Sequence, residues 1–169
     1  MGDSSIPAHL TSLIRHFSDL RDGVHGGAAS RHDKEARFAE EVDLLSPVAR
    51  QALSEVNRHL LLDSGAVSET GLRRSPDDGM SAAWELSWPE QHDVRVPPIM
   101  LHACFGAGFH HPHLRGATVG DWPLNVFSVQ DAADQLPILR AIATSDLHNL
   151  VFQSDYRIIP AVTRGSTAG

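Results

Sequence analysis

Ile6, Leu10, Leu13, Ile14, Phe17 and Leu20 recur at the spacing of one helix face. Ser4 or Ser5 can cap such a helix, Pro7 suits its first turn, and Asp22-Gly23 can end it. The apolar stripe is expected to lie on a core. After a glycine-bearing loop over residues 24–29, Ser30 and Asp33 open a second helix with Ala36, Ala39 and Val42 facing inward. Ser46-Pro47 then caps a third helix, which carries Val48, Ala52, Leu53, Val56 and Leu60 and closes at Asp63-Ser64-Gly65. Amphipathic helices therefore precede any clear strand.

Past a polar stretch that follows a short strand at Val67, the period changes to two. Trp84, Leu86 and Trp88 alternate with Glu85 and Ser87. Further on, Ile99, Leu101, Ala103 and Phe105 alternate with Met100, His102 and Cys104. The two runs predict a hairpin with a long loop, Pro97-Pro98 lying in the connection. If they pair, Glu85, His102 and Cys104 share the face turned away from the helices. A third strand is predicted over residues 122–129, with Pro123 confining its start to an edge or a bulge. Helical spacing resumes at Asp131 and runs through Leu136, Leu139, Ile142, Ala143, Leu147, Leu150 and Val151. Pro137 has to stand at a start or a kink of that helix. A last strand is predicted over residues 156–161. The pattern is that of an α+β fold in which N-terminal amphipathic helices and a C-terminal helix pack on one face of a small antiparallel sheet. Residues 1–162 read as a single globular domain and 163–169 as a disordered tail.

Composition narrows the partners. A chain of 169 residues can bury a core without disulfides or a structural metal, and Cys104 is its one cysteine, so no internal disulfide can form. With no leader-like segment and no apolar run near ~20 residues, the reading is a cytoplasmic protein with no membrane span. The net charge of −7 argues against a nucleic-acid partner, which would call for a basic face.

The sharpest chemistry lies in FHHPHLRG, residues 109–116, where His110, His111 and His113 surround Pro112 just ahead of Arg115. Of the eleven histidines, His9, His16, His25, His32 and His59 show no mutual spacing and read as surface residues. Pro112 disfavours the α conformation at His111, so His111 and His113 should point to one side of an extended segment. Imidazoles so placed can ligate a transition metal such as zinc or iron, or act as acid and base near neutral pH. His102 is the first candidate for a third ligand, followed by Glu85, Asp121 and His148. Arg115 can fork onto an anionic substrate or pair with Asp121, and Trp122 can wall an aromatic one. His102 and Cys104 also form a histidine–cysteine pair on one strand face, although a lone strand cysteine is usually inert packing. The glycines around residues 106–120 give this loop room to turn.

The functional expectation is a small enzyme acting on a small molecule. His111, His113, His102 and Glu85 would be its catalytic groups, Arg115 and Trp122 would hold substrate, and His111, His113 and His102 would bind any metal. The alternative is a non-catalytic subunit that binds a protein partner through its helices and loop. A homo-oligomer is compatible with either.

Overall fold

The computed structural model describes residues 5–164. In chain order the elements are α1 (Ala8–Asp22), α2 (Arg31–Leu60), β1 (Ala66–Glu69), β2 (Arg73–Arg74), β3 (Met80–Ser87), α3 (Pro89–Asp93), β4 (Ile99–Phe105), β5 (His113–Arg115), β6 (Trp122–Pro123), α4 (Val129–Asp134), α5 (Leu136–Gln153) and α6 (Pro160–Thr163). The six strands form one antiparallel sheet in the order β1-β3-β4-β5-β6, with β2 pairing β3 off that path. The fold is α+β. Among the described residues no helix is long and apolar enough to cross a membrane.

The predicted hairpin forms. Trp84 stands opposite Leu101, Ala83 opposite His102 and Glu85 opposite Met100. Residues opposite one another share a face. Trp84, Leu86, Ile99, Leu101, Ala103 and Phe105 accordingly line the side on which α2 and α5 pack, and all are buried. Leu114 and the partly buried Trp122 extend this face across β5 and β6. The other face carries Glu85, Met100, His102, Cys104, His113 and Arg115.

The second and third predicted helices are one. α2 runs for 30 residues through Pro47, which costs it a backbone donor. The helix stays continuous because Val42 and Leu45 before Pro47, and Ala49, Ala52, Leu53 and Val56 after it, are buried along one core face. Tertiary packing outweighs the local stop signal. Ala36, expected inward, is exposed.

Three C-terminal expectations are corrected. The strand predicted over residues 122–129 is reduced to β6, because Ser128 caps α4 by accepting a hydrogen bond from the Asp131 N–H. The helix expected from Asp131 is split at Gln135, with Pro137 in the first turn of α5, where no helical N–H is needed. Residues 156–161 form a 3₁₀ turn (Tyr156–Ile158) leading into α6 rather than a strand. The Trp88 indole N–H fixes that segment by donating to the Ile158 carbonyl at 2.7 Å. Most of the tail predicted as disordered, residues 165–169, lies outside the described residues.

α1 forms where predicted but faces the other way. Its buried residues are Ser12 and His16, whereas Ile6 is 57 %, Ile14 53 %, Phe17 59 % and Leu20 48 % exposed. The core is already closed by α2, α5 and the sheet, so the helix seats its polar side inward.

Truncating Leu139 or Ile142 of α5 to alanine should destabilise the fold by ~2–5 kcal/mol, since both are buried core residues and each truncation leaves a cavity. Denaturant unfolding of each variant measures this. A loss under ~1 kcal/mol would remove α5 from the cooperative core.

Candidate functional site

The histidine loop is held by the first turns of α2. Arg31, at the start of that helix, donates to the carbonyls of Gly106 (3.1 Å), Phe109 (2.9 Å) and Phe105 (3.2 Å), and its guanidinium lies 3.7 Å from the centroid of the Phe105 ring. One turn on, the buried Lys34 donates to the His110 carbonyl at 3.4 Å. Arg31, Lys34, Phe38 and Glu41 follow one another at helical spacing, so one face of α2 carries both the loop anchors and a buried carboxyl group.

Around Glu41 the imidazoles gather. Glu41 is fully buried; its Oε2 accepts from the Val126 N–H at 2.9 Å and its Oε1 is hydrogen-bonded to His25 Nε2. His25 comes from the loop between α1 and α2. There Gly26 takes a positive φ, donates its N–H to Asp19 and lies against the Phe127 ring, leaving no space for a Cβ. The His111 ring stands edge-on to His25 at 5.7 Å and to His16 at 5.2 Å, centroid to centroid. His113 lies 6.2 Å from His16 and 5.9 Å from Phe109. His16, His25 and His111 are all more than nine-tenths buried, and the Nδ1 atom of each has no hydrogen-bond partner. Buried polar groups are normally paired, so three open imidazole nitrogens in one place mark a specialised environment.

Burial sets the charge state here. It pushes His25 and His111 down to about 4, His111 further through the neighbouring His16 and His25, and it lowers His16 as well, with His113 and His25 adding to the effect. Burial drives Glu41 well above the usual carboxylate range, against the opposing Val126 N–H. Low dielectric favours the Glu41–His25 pair with no net charge, so the two share one proton along the Oε1–Nε2 line. In either form of that shared-proton pair His25 Nδ1 carries a hydrogen. The result is one imidazole with an unused N–H donor beside two neutral imidazoles.

The predicted site residues divide between this cluster and the positions further along the open face of the sheet. His111 and His113 both approach His16, which the sequence pattern assigns to the surface along with His25. His9, His32 and His59 are exposed, as expected. His102 lies on the open face, where its Nδ1 accepts from Arg115 Nε at 3.1 Å. Arg115 is therefore engaged with His102 rather than with Asp121. Glu85 shares that face, half-buried and diagonal to His102 across β3 and β4. The partly buried Trp122 packs against the core. The Cys104 thiol contacts the His113 carbonyl, and burial raises its pKa, which keeps it a poor nucleophile. Asp121 and His148 are exposed. As the side chains stand, no group of three or more His, Cys, Asp or Glu among the described residues is placed to hold a metal ion.

Sequence reasoning missed Arg31, Glu41, His16 and His25. The legible signal was Glu41 itself, a charged residue in phase with Phe38, Val42 and Leu45 on the core face of α2.

Comparison with known protein families, curated proteins and solved structures finds no match to this chain.

The cluster predicts acid lability. His16 and His111 titrate lower in the folded state than unfolded, so the unfolded chain binds more protons as the pH falls below ~6.5. The contribution of His111 is complete above that pH and is lost toward pH ~4, where it titrates in the fold, and His16 acts in the same direction. The Glu41–His25 pair adds little slope between ~4.5 and ~6.5, because it holds one proton folded and its unfolded groups together also hold one. Urea unfolding at pH 7 and pH 5 should differ by ~1–3 kcal/mol, and His111→Phe should shrink the difference. An unchanged pH slope in that variant would mean His111 is charged or solvated in the fold.

Proposed function

We propose that the protein is an enzyme and that the imidazole cluster beneath α1 is its proton-transfer centre. The observation that carries this is the set of three buried, unpartnered imidazole nitrogens beside the buried Glu41–His25 pair. His25, backed by Glu41, supplies the N–H donor. His16 and His111 are neutral and able to take a proton, and the half-buried His113 continues the cluster toward Phe109, which is 62 % exposed. Acid and base held in one buried cluster suit isomerisation, elimination or hydrolysis of a small molecule. Glu85, His102 and Arg115, further along the face that His113 shares, are outside this centre.

The test works with an unidentified substrate. Untagged protein is incubated with a cellular metabolite extract, and consumption and appearance of metabolites are followed by mass spectrometry, alongside transition-metal analysis. The wild type should convert at least one metabolite, His16→Ala and His111→Ala should slow that conversion by ~100-fold or more, and His102→Ala should leave it intact. Loss of bound zinc or iron in His111→Ala would make these imidazoles ligands in place of proton carriers. Full turnover in both cluster variants would end the proposal.

A second reading, a non-catalytic subunit with a protein partner, is favoured by the outward stripe of α1. Leu10, Phe17 and Leu20 are exposed and, with the half-buried Leu13, recur at spacings of three and four, the seam a second helix fills. If this stripe mediates self-association, sedimentation velocity should show a dimer that Phe17→Asp converts to monomer without loss of helicity. A wild type that stays monomeric through the micromolar range would leave the stripe without a second copy as its partner.

A further inference from the structure

A cavity of about 230 Å³ lies between the N-terminal half of α1 and α4, one helical turn from His16. Ser12, Arg15, Asn125, Asp131, Asp134 and Gln135 are among its lining residues. Ser12, Asn125 and Gln135 are each more than nine-tenths buried, and each has a side-chain polar atom with no partner: Ser12 Oγ, Asn125 Oδ1 and Gln135 Oε1. The Asn125 amide is oriented by its own Nδ2, which donates to the Ser12 carbonyl at 3.3 Å, so its free atom is an acceptor. Arg15 is the lining cation, and Asp131 already meets its charge at 2.9 Å. That leaves the exposed Asp134 carboxylate, one of whose oxygens accepts from Gln130, as the unbalanced charge of the wall.

We propose that this cavity binds a small aliphatic amine or amino alcohol. Its ammonium group would face Asp134, and its N–H or O–H donors would satisfy Asn125 Oδ1 and the atoms beside it. An anionic ligand fits poorly, since the arginine is neutralised and the unpaired groups include a fixed acceptor. The proposal gives a substrate class to the adjoining imidazole cluster and rests on that reading for the ligand's fate, though not for its binding.

Putrescine, 1,4-butanediol and succinate share a four-carbon chain and differ in their ends. Each is titrated into the full chain and followed by amide ¹H–¹⁵N NMR. Putrescine should give saturable shifts confined to residues 8–16 and 124–136, butanediol weaker shifts at the same amides, and succinate none. Asn125→Leu should abolish the saturable shifts. Asp134→Asn, a surface change that leaves folding untouched, should weaken putrescine by about threefold to fivefold, the scale of an exposed ion pair. Succinate shifting the same amides equally, putrescine shifts spread over the surface without saturation, or an unchanged affinity in Asp134→Asn would overturn the proposal. His16→Ala separates the two readings. If it binds putrescine normally but no longer turns over metabolite, both stand. If binding is confined and saturable while cluster variants keep full turnover, the cavity stands and the cluster reading falls.

Discussion

A carboxyl group with no solvent exposure has to be matched by its neighbours, and Glu41 on α2 imposes that demand on two separate segments. Its two oxygens are taken by His25, from the loop after α1, and by the Val126 N–H, from the stretch between β6 and α4. Removing either partner would leave a polar group unpaired in the interior, at a cost of roughly 1–3 kcal/mol. The path of both segments is thereby fixed against the first half of α2. The same helix face places Arg31 on three loop carbonyls and Lys34 on a fourth. Local order in the histidine loop is thus a consequence of α2, which is itself fixed by its apolar stripe against the sheet.

A comparable device holds the far end of the loop. Asp146 on α5, also fully buried, accepts from the Met100 N–H at 3.1 Å, and from the backbone and hydroxyl of Thr118. It satisfies a β4 donor beyond the end of the short strand β5. Gly116 lies so close to Asp146 and Ile142 that a side chain there would crowd both. The segment running from Phe105 to Thr118 is therefore clamped at one end by cations on α2 and at the other by a carboxylate on α5.

The hairpin, the helix-covered face and the fold class were legible because they follow from period-two and helical patterning, which reports burial directly. The continuity of α2 was not, since Ser46-Pro47 is a genuine local stop signal and only the packing of Leu45 and Ala49 on one core overrides it. The loop histidines His111 and His113 were legible as a cluster through their spacing. His16 and His25 were not, because their relation to the loop is tertiary: His16 sits on the polar side of an amphipathic helix, which ordinarily faces water. That inference failed with the assumption that the apolar stripe of α1 points to the core.

The inversion of α1 bears on how the site could open. Of the buried side-chain polar atoms without partners among the described residues, six belong to Ser12, His16, His25, His111, Asn125 and Gln135, in α1 or in the side chains gathered against it. Native interiors pair nearly all such groups, because each unpaired one costs ~1–3 kcal/mol. Concentrated under one helix, they weaken that helix's attachment more than any other, while its apolar residues stay in water and contribute little to docking. The Arg15–Asp131 ion pair, partly exposed, adds only a modest restraint. α1 is therefore weakly docked, and a polar molecule that pairs the groups beneath it would strengthen its attachment. A ligand bound there would tighten the helix over the imidazoles and exclude water from them, the condition under which neutral imidazoles and a shared-proton carboxyl pair act most strongly on a bound molecule.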